Sequence, residues 1–339
     1  MLNGFFDIHF RLDELKHAGD PLIKINEIIN WELFRSELEK IYDKERKTTA
    51  GRKHFDVVLM FKILILQNLY NLSHENIEFH INDRLSFMRF LNLNLDDKVP
   101  DAKTIWLFEQ NLTKLKLTKK LFKKFDEYLR KNGFKAREGQ IVDVSIVSVP
   151  KQRNKREENA EIKEGKTPED WNDKKRSHKD TDARWVKKNG KSFYGFKNHV
   201  QVDVKHKFVR DYEVSDAALH DSNIFEEILD ETNSNKDVYA DSAYQSKETV
   251  DSLKSKGFRP KIQRKGKRNK PLTNWEKQGN RTRSKTRCRV EHIFGVQAMT
   301  AGNLLLRSIG IKRAKTKIGL RNLAYNLKRY ATLVSTAKN

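Results

Sequence analysis

The chain has 339 residues, 37% of them hydrophobic, which is enough for one large domain or two ordinary ones around a real core. Its 69 Lys and Arg against 46 Asp and Glu give a formal net charge of +23, an excess that favours polyanionic partners through phosphate contacts and counterion release. A single cysteine, Cys288, excludes an intramolecular disulfide. Met1–Phe10 lacks the basic start and apolar run of a signal peptide, and the most apolar stretch, Val57–Leu69, is interrupted by Lys62 and Gln67 and is too short to span a bilayer. These features predict a cytoplasmic, nucleoid-associated protein with no membrane partner, against the blander reading of a ribosome-associated or merely adhesive basic protein.

From Pro21 to Gly133 apolar residues such as Ile28, Trp31, Leu33, Phe34 and Leu38 recur at spacings of three and four, the helical period. Helices are predicted at Phe55–Tyr70, Ser73–Ile81, Leu85–Asn92, Ala102–Leu112 and Lys119–Gly133, with Ser73, Pro100 and Asp101 as start signals and Gly133 as a stop. Residues 1–135 therefore read as an all-helical N-terminal domain.

The period changes at Gln140, where Ile141, Val142, Val144, Ile146, Val147 and Val149 form a β-branched run closed by Pro150, with Asp143 inside it. Lys151–Lys191 is strongly polar and almost free of aliphatic residues, and reads as a mobile insertion or long loop. His199–Val204 and Lys207–Val214 flank a tight polar turn and predict a hairpin. A helix over Asp221–Asp230 follows, then a short strand Asp237–Ala240 that delivers Asp241, a helix over Ser246–Lys256 and a strand over Pro260–Gln263. This order predicts an α/β fold over residues 136–339, a ribonuclease-H-like mixed sheet flanked by helices with a polar insertion at about 151–191.

Between Lys261 and Arg289 stand twelve basic residues and one acid, Glu276. A helix is predicted from Thr282 to about Met299, with Arg283, Arg287, Glu291 and Phe294 on one face. A last helix, about Gly319–Leu333, is expected to pack across the sheet through Leu320, Leu323, Ala324, Leu327 and Tyr330.

Cutting or transferring a phosphodiester calls for charge on both the attacking and the leaving oxygen, which two magnesium ions supply when carboxylates hold them. Asp143 within a strand, Asp241 at a strand end and Glu291 on a basic helix have the placement for that work. The competing reading makes Asp143 a buried ion-pair partner, since an unpaired carboxylate in an apolar strand is costly, and makes Glu291 a helix-surface partner of Arg287.

The segments Tyr-Gly-Phe-Lys-Asn-His-Val at 194–200, His-Asp-Ser at 220–222, Val-Tyr-Ala-Asp-Ser-Ala-Tyr at 238–244, Ser-Lys-Thr-Arg-Cys-Arg-Val-Glu-His-Ile-Phe-Gly at 284–295 and Asn-Leu-Ala-Tyr-Asn-Leu at 322–327 resemble those of transposases of the insertion-sequence-five family, a group of bacterial DDE transposases. Asn82–Leu91 and Pro100–Thr104 resemble that family's amino-terminal region, so the likeness spans nearly the whole chain. The resemblance implies a catalytic, metal-holding triad of Asp143, Asp241 and Glu291, and a signature formed by Ser284, Arg287 and Glu291. The position seven residues after Glu291, commonly basic in related transposases, is Ala298 here, with Arg307 and Lys312 as candidate replacements. It implies two Mg²⁺ ions, with Mn²⁺ able to substitute, and double-stranded DNA as partner, both the terminal inverted repeats of the element and target DNA. A homodimer is expected in the active complex, since two DNA ends require two sites.

Charge and helical spacing add Arg283, Arg289, Lys265 and Arg268 to Ser284 and Arg287 as candidate DNA contacts. Residues 1–135 would recognise DNA ends or assemble the dimer. A noncatalytic basic DNA-binding protein and a ribonuclease-H-like nuclease without joining activity are the alternatives. His199, His220 and His292 read as local hydrogen-bonding groups more readily than as phosphate ligands. Cys288 reads as inert and buried, Lys174–Arg176 as a solvated run, and Tyr244 and Trp275 as core aromatics before stacking platforms.

Overall fold

A computed structural model describes residues 7–43, 53–188, 190–266, 270–300 and 305–338. The chain divides into two compact units, Met1–Phe125 with Thr300–Gly302 and Leu320–Asn339, and Asp126–Met299 with Asn303–Gly319.

The first unit is helical. Helices α1 (Asp7–His17) and α2 (Pro21–Ile28) lead into tight helical turns over residues 31–41 that include α3 (Arg35–Leu38). Then come α4 (Val57–Tyr70), α5 (His74–Asp83), α6 (Leu85–Leu91), α7 (Ala102–Lys114) and α8 (Leu117–Lys131). The predicted helices are all present, and their starts are set by caps: Asp56 accepts from the Val58 and Leu59 amides, Ser73 from Asn76 and Asp101 from Thr104. The Asp56 cap explains why α4 begins two residues after the predicted Phe55. Asn71 closes α4 in a left-handed conformation.

Helix α4 is apolar on every side, so it lies at the centre of this unit, with Met60, Phe61, Ile63, Leu64, Ile65 and Leu66 fully buried. Phe34 packs on Phe61 with ring centroids 4.9 Å apart, and Trp31 meets Phe90 edge-on at 5.5 Å. Two buried polar residues, Lys62 and Gln67, break the rule. Lys62 is 3% exposed, and its ammonium sits 4.9 Å from the Phe90 ring and 5.5 Å from the Trp31 ring, so cation–π attraction only partly replaces lost hydration. Burial pulls its pKa down from 10.5 to about 8.

In the second unit the strands are β1 (Gln140–Ser148), then, after α9 (Arg156–Lys163) and α10 (Asp173–His178), β2 (Arg184–Lys188), β3 (Lys191–Asp203) and β4 (Val209–Asp216). After α11 (Ser222–Phe225) come β5 (Asp237–Ala240), α12 (Lys247–Ser255) and β6 (Arg259–Ile262), followed by α13 (Asn274–Arg287), α14 (Arg289–Thr300) and α15 (Ile311–Lys338). They build a six-stranded mixed sheet in the order β2-β3-β1-β5-β6, with β4 also on β3. The pairs β1/β3 and β3/β4 are antiparallel, while β5 runs parallel to β1 and β6 parallel to β5. The predicted hairpin is β3/β4, and Pro260 is accommodated because β6 is an edge strand.

Gly195 sets how closely β1 and β3 approach. Its φ is +154°, and a Cβ there would lie 2.2 Å from the Val147 carbonyl oxygen.

Three expectations are corrected. Residues 151–191 are not a structureless loop: α9, α10, β2 and the start of β3 lie within them, organised around buried Trp171, whose indole donates to Glu158 at 2.9 Å while Lys175 pairs with the same carboxylate at 2.5 Å. The polar composition hid this because the organising groups are charged. The predicted Asp221–Asp230 helix is the single turn α11. The last helix begins at Ile311, because Asp180 and Asp182 accept from the Gly310 and Ile311 amides at 3.0 and 2.8 Å and satisfy its first donors. Its C-terminal part belongs to the helical unit, where Tyr330 meets Phe125 edge-on at 6.0 Å.

Two outcomes are expected. Gly195→Ala should lower the melting temperature by about 6 °C or more in a thermal melt, because backbone rather than a flexible side chain must yield. Lys62→Met should raise it by about 4 °C at pH 7. The unfolded chain keeps the Lys62 proton up to about 10.5 and the folded chain releases it near 8, so wild-type stability gains on the variant between those values and the difference is constant below pH 8.

Candidate active site

β1 pairs with β5 through Val142 opposite Ala240, which puts the next residues, Asp143 and Asp241, beside each other. Alternation along the strand turns Val142 to one face of the sheet, into a core with Val238, Ala240, Phe225, Tyr244 and Leu253, and turns Asp143 to the other. The Asp143 residue is 7% exposed. Burial pushes its carboxyl above the usual carboxylate range and neighbouring Asp241 adds to that, while Arg287, the Val144 amide and Lys188 oppose it.

Arg287 comes from the last turn of α13, a helix fixed at its start by the reciprocal cap between Thr273 and Glu276. Its Nη1 donates to Asp143 Oδ2 at 2.7 Å, and its Nη2 lies 3.4 Å from Glu291 Oε1. Asp143 Oδ1 accepts from the Val144 amide at 2.8 Å. Asp241 Oδ1 accepts from the Ser242 amide at 2.5 Å and from the Ser242 hydroxyl at 3.1 Å, opening a 3₁₀ turn over Ser242–Tyr244.

The single helix predicted over Thr282–Met299 is two, α13 and α14, separated at Cys288, whose amide donates to both Ser284 and Thr286 carbonyls and tightens the turn. Glu291 therefore stands in the first turn of α14, where the helix dipole favours a carboxylate. Its side chain is 63% exposed.

Asp143 and Asp241 are thus neighbours, and Arg287 links Asp143 to Glu291, while the other candidates make different contacts. Arg289 donates to the Val204 carbonyl at 2.9 Å and lies 3.8 Å from Glu138. Arg283 reaches Asn280 at 3.3 Å. The Ser284 carbonyl accepts from Cys288 within the helix. Lys265 is exposed, with its amide tied to Gln245 at 3.0 Å. Arg268 lies outside the described residues.

His199 is buried, bonded to Ser215 at 2.9 Å, and pulled down to about 4 by burial, so it is neutral and structural at pH 7. His220 bonds Ser222 at 2.7 Å, and His292 is exposed. Cys288, expected to be buried, is exposed. Trp275, expected in the core, is 72% exposed with the Arg264 guanidinium 5.3 Å from its ring centroid. Tyr244 is in the core as expected, 4.7 Å from Phe225 between ring centroids. Its buried hydroxyl has no hydrogen-bond partner, and burial together with Asp221, Asp143 and Asp241 raises its pKa.

Sequence reasoning missed two features. Lys188, at the end of β2, acts electrostatically on Asp143. The Asp143–Arg287 pair joins residues 144 positions apart, which no local spacing signals.

Among the described residues no group of three or more His, Cys, Asp or Glu is arranged to hold a metal ion. The donor chemistry of the adjacent Asp143 and Asp241 carboxylates nonetheless suits a hard divalent cation, and Arg287 supplies a positive charge to Asp143. No helix among the described residues is long and apolar enough to cross a membrane. Tyr244→Phe should raise the melting temperature by about 2 °C, because it removes a buried hydroxyl that has no partner.

Comparison with solved structures finds the cryo-EM structure of a piggyBac transposase synaptic complex with hairpin DNA, at 13% identity and a TM-score of 0.48, covering 94% of this chain and 76% of that one. The family described as Transposase domain (DUF772) matches residues 10–111. The family described as Transposase DDE domain matches residues 135–327, over half the chain and the whole region that carries Asp143, Asp241, Arg287 and Glu291, and the protein belongs to that family.

Proposed function

We propose that the protein is a transposase of the insertion-sequence-five group that binds the terminal inverted repeats of its own element, cleaves at the ends and transfers the 3′-hydroxyl to target DNA. The observation that carries this reading is the side-by-side placement of Asp143 and Asp241 at neighbouring strand positions, with Glu291 tied in through Arg287. A ribonuclease-H-like fold is supported by the sheet, in which β4, β3 and β1 run antiparallel and β5 and β6 follow parallel to β1.

Asp143, Asp241 and Glu291 are the residues that would hold two Mg²⁺ ions, or Mn²⁺, and these supply the charge that activates the attacking oxygen and stabilises the leaving one. The chain's own contribution is positioning. β1 and β5 fix two carboxylates rigidly, and the exposed Glu291 can approach as α14 adjusts. Arg287 and Arg283 would contact the DNA backbone, with exposed Lys265 and its basic neighbours extending that contact. The helical N-terminal region would recognise DNA ends or pair two copies into the homodimer that two-ended cleavage requires.

The test is nicking of a DNA fragment that carries the gene's own flanks, with and without Mg²⁺, by wild type, Asp143→Asn and Asp241→Ala. Cleavage that needs metal and both aspartates is expected, with end binding by Asp143→Asn retained and its rate reduced by about 10³-fold or more. Tight binding without cleavage by wild type would instead mark a noncatalytic DNA-binding protein, and cleavage without joining of a pre-cut 3′-hydroxyl end would mark a nuclease.

A further inference from the structure

Each oxygen of the Asp143 carboxylate already has a donor. Oδ1 takes the Val144 amide at 2.8 Å and Oδ2 takes Arg287 Nη1 at 2.7 Å. The Val144 amide is part of the strand and cannot leave. The Arg287 guanidinium can, because it hangs on a long side chain at the end of a helix. It is also incompletely satisfied: its contact with Glu291 is long, 3.4 Å, and its buried Nε has no partner. An arginine placed only to lock α13 to the sheet would be expected to grip a carboxylate with two nitrogens in its fork. This one spans two carboxylates with one nitrogen each. Its side chain is 18% exposed and that of Asp143 10%, so the attraction is little screened and removal of either charge is felt strongly by the other.

We infer that Arg287 is the built-in counter-cation of the Asp143 site, which a divalent cation must displace from Asp143, and that the displaced guanidinium is thereby freed for a DNA phosphate. The inference rests on the reading of Asp143 as a metal-holding carboxylate. It makes Arg287 a positioning residue with two alternative partners of the same charge, carboxylate before the metal enters and phosphate after it. Metal binding and capture of the DNA backbone are coupled through one side chain, and binding free energies coupled in this way are reciprocal.

The experiment measures Mn²⁺ binding to the full-length protein, without DNA, by calorimetry, in wild type, Arg287→Gln, Arg287→Lys and Asp143→Asn, with thermal melts of each in the absence and presence of Mn²⁺. Arg287→Gln is expected to bind Mn²⁺ about 10-fold more tightly than wild type, which corresponds to about 1.4 kcal/mol, and to gain more in melting temperature from added Mn²⁺. Arg287→Lys, which keeps the charge but not the two-armed span, is expected to fall between them and serves as the reporter should the glutamine variant not fold. Affinity in the folded Arg287 variants equal to or weaker than that of wild type would overturn the inference and leave a purely structural pair. Binding lost in Asp143→Asn but unchanged in the Arg287 variants would sink this inference alone, whereas no Mn²⁺ binding in any variant would sink the metal-site reading and this one with it.

Discussion

A carboxylate in the middle of a buried β-strand is the constraint around which the sheet unit is arranged. Asp143, buried in β1 opposite Val200 of β3, cannot be left ionised without compensation worth several kcal/mol. The protein compensates with the Val144 amide, the Arg287 guanidinium and, at longer range, Lys188. Arg287 comes from far along the chain, so the position of α13 is tied to one side chain. The added repulsion from Asp241 works against all of them.

The opposite face of the same strands has ordinary chemistry. Val142, Val238 and Ala240 pack there with Phe225, Tyr244 and Leu253, and this apolar layer keeps β1 and β5 in the register that aligns the aspartates. Charged groups elsewhere in this unit are paired internally: Lys197 pairs with Asp221 at 2.8 Å and gives a further bond to the Leu219 carbonyl at 2.6 Å, and buried Arg210 joins Asp203 to Asp126. The segment between β1 and β3 is part of the same framework, since β2 extends the sheet along β3 while Asp180 and Asp182 start α15. Gly195 allows that long strand to pass close under β1.

Features with a local physical cause were legible in the sequence. The caps at Ser73 and Asp101, the β-branched run around Asp143, the hairpin and the short strand leading into Asp241 each follow from neighbouring residues, and each is present. The features that were not legible depend on partners distant in sequence. Trp171 and Glu158 order a stretch whose composition reads as loop. The start of α15 is set by carboxylates about 130 residues earlier. Arg287 has an obvious local partner in Glu291, four residues on, but its shorter contact is with Asp143. Long-range electrostatics, not propensity, decided these cases.

The basic segment before Glu291 illustrates why net charge alone locates a site poorly. Its arginines are divided among separate tasks: Arg287 pairs with the buried Asp143, Arg289 ties α14 to the Val204 carbonyl, and Arg264 bonds Glu276 while lying over the Trp275 ring. None of these guanidiniums is simply part of a free positive surface. Lys265, Lys277, Arg281 and Lys285 are exposed, and their hydrated charges are the ones available for salt-dependent attraction to a polyanion. The segment therefore holds two sets of cations that composition cannot separate, an outward set exposed to solvent and an inward set committed to partners within the fold.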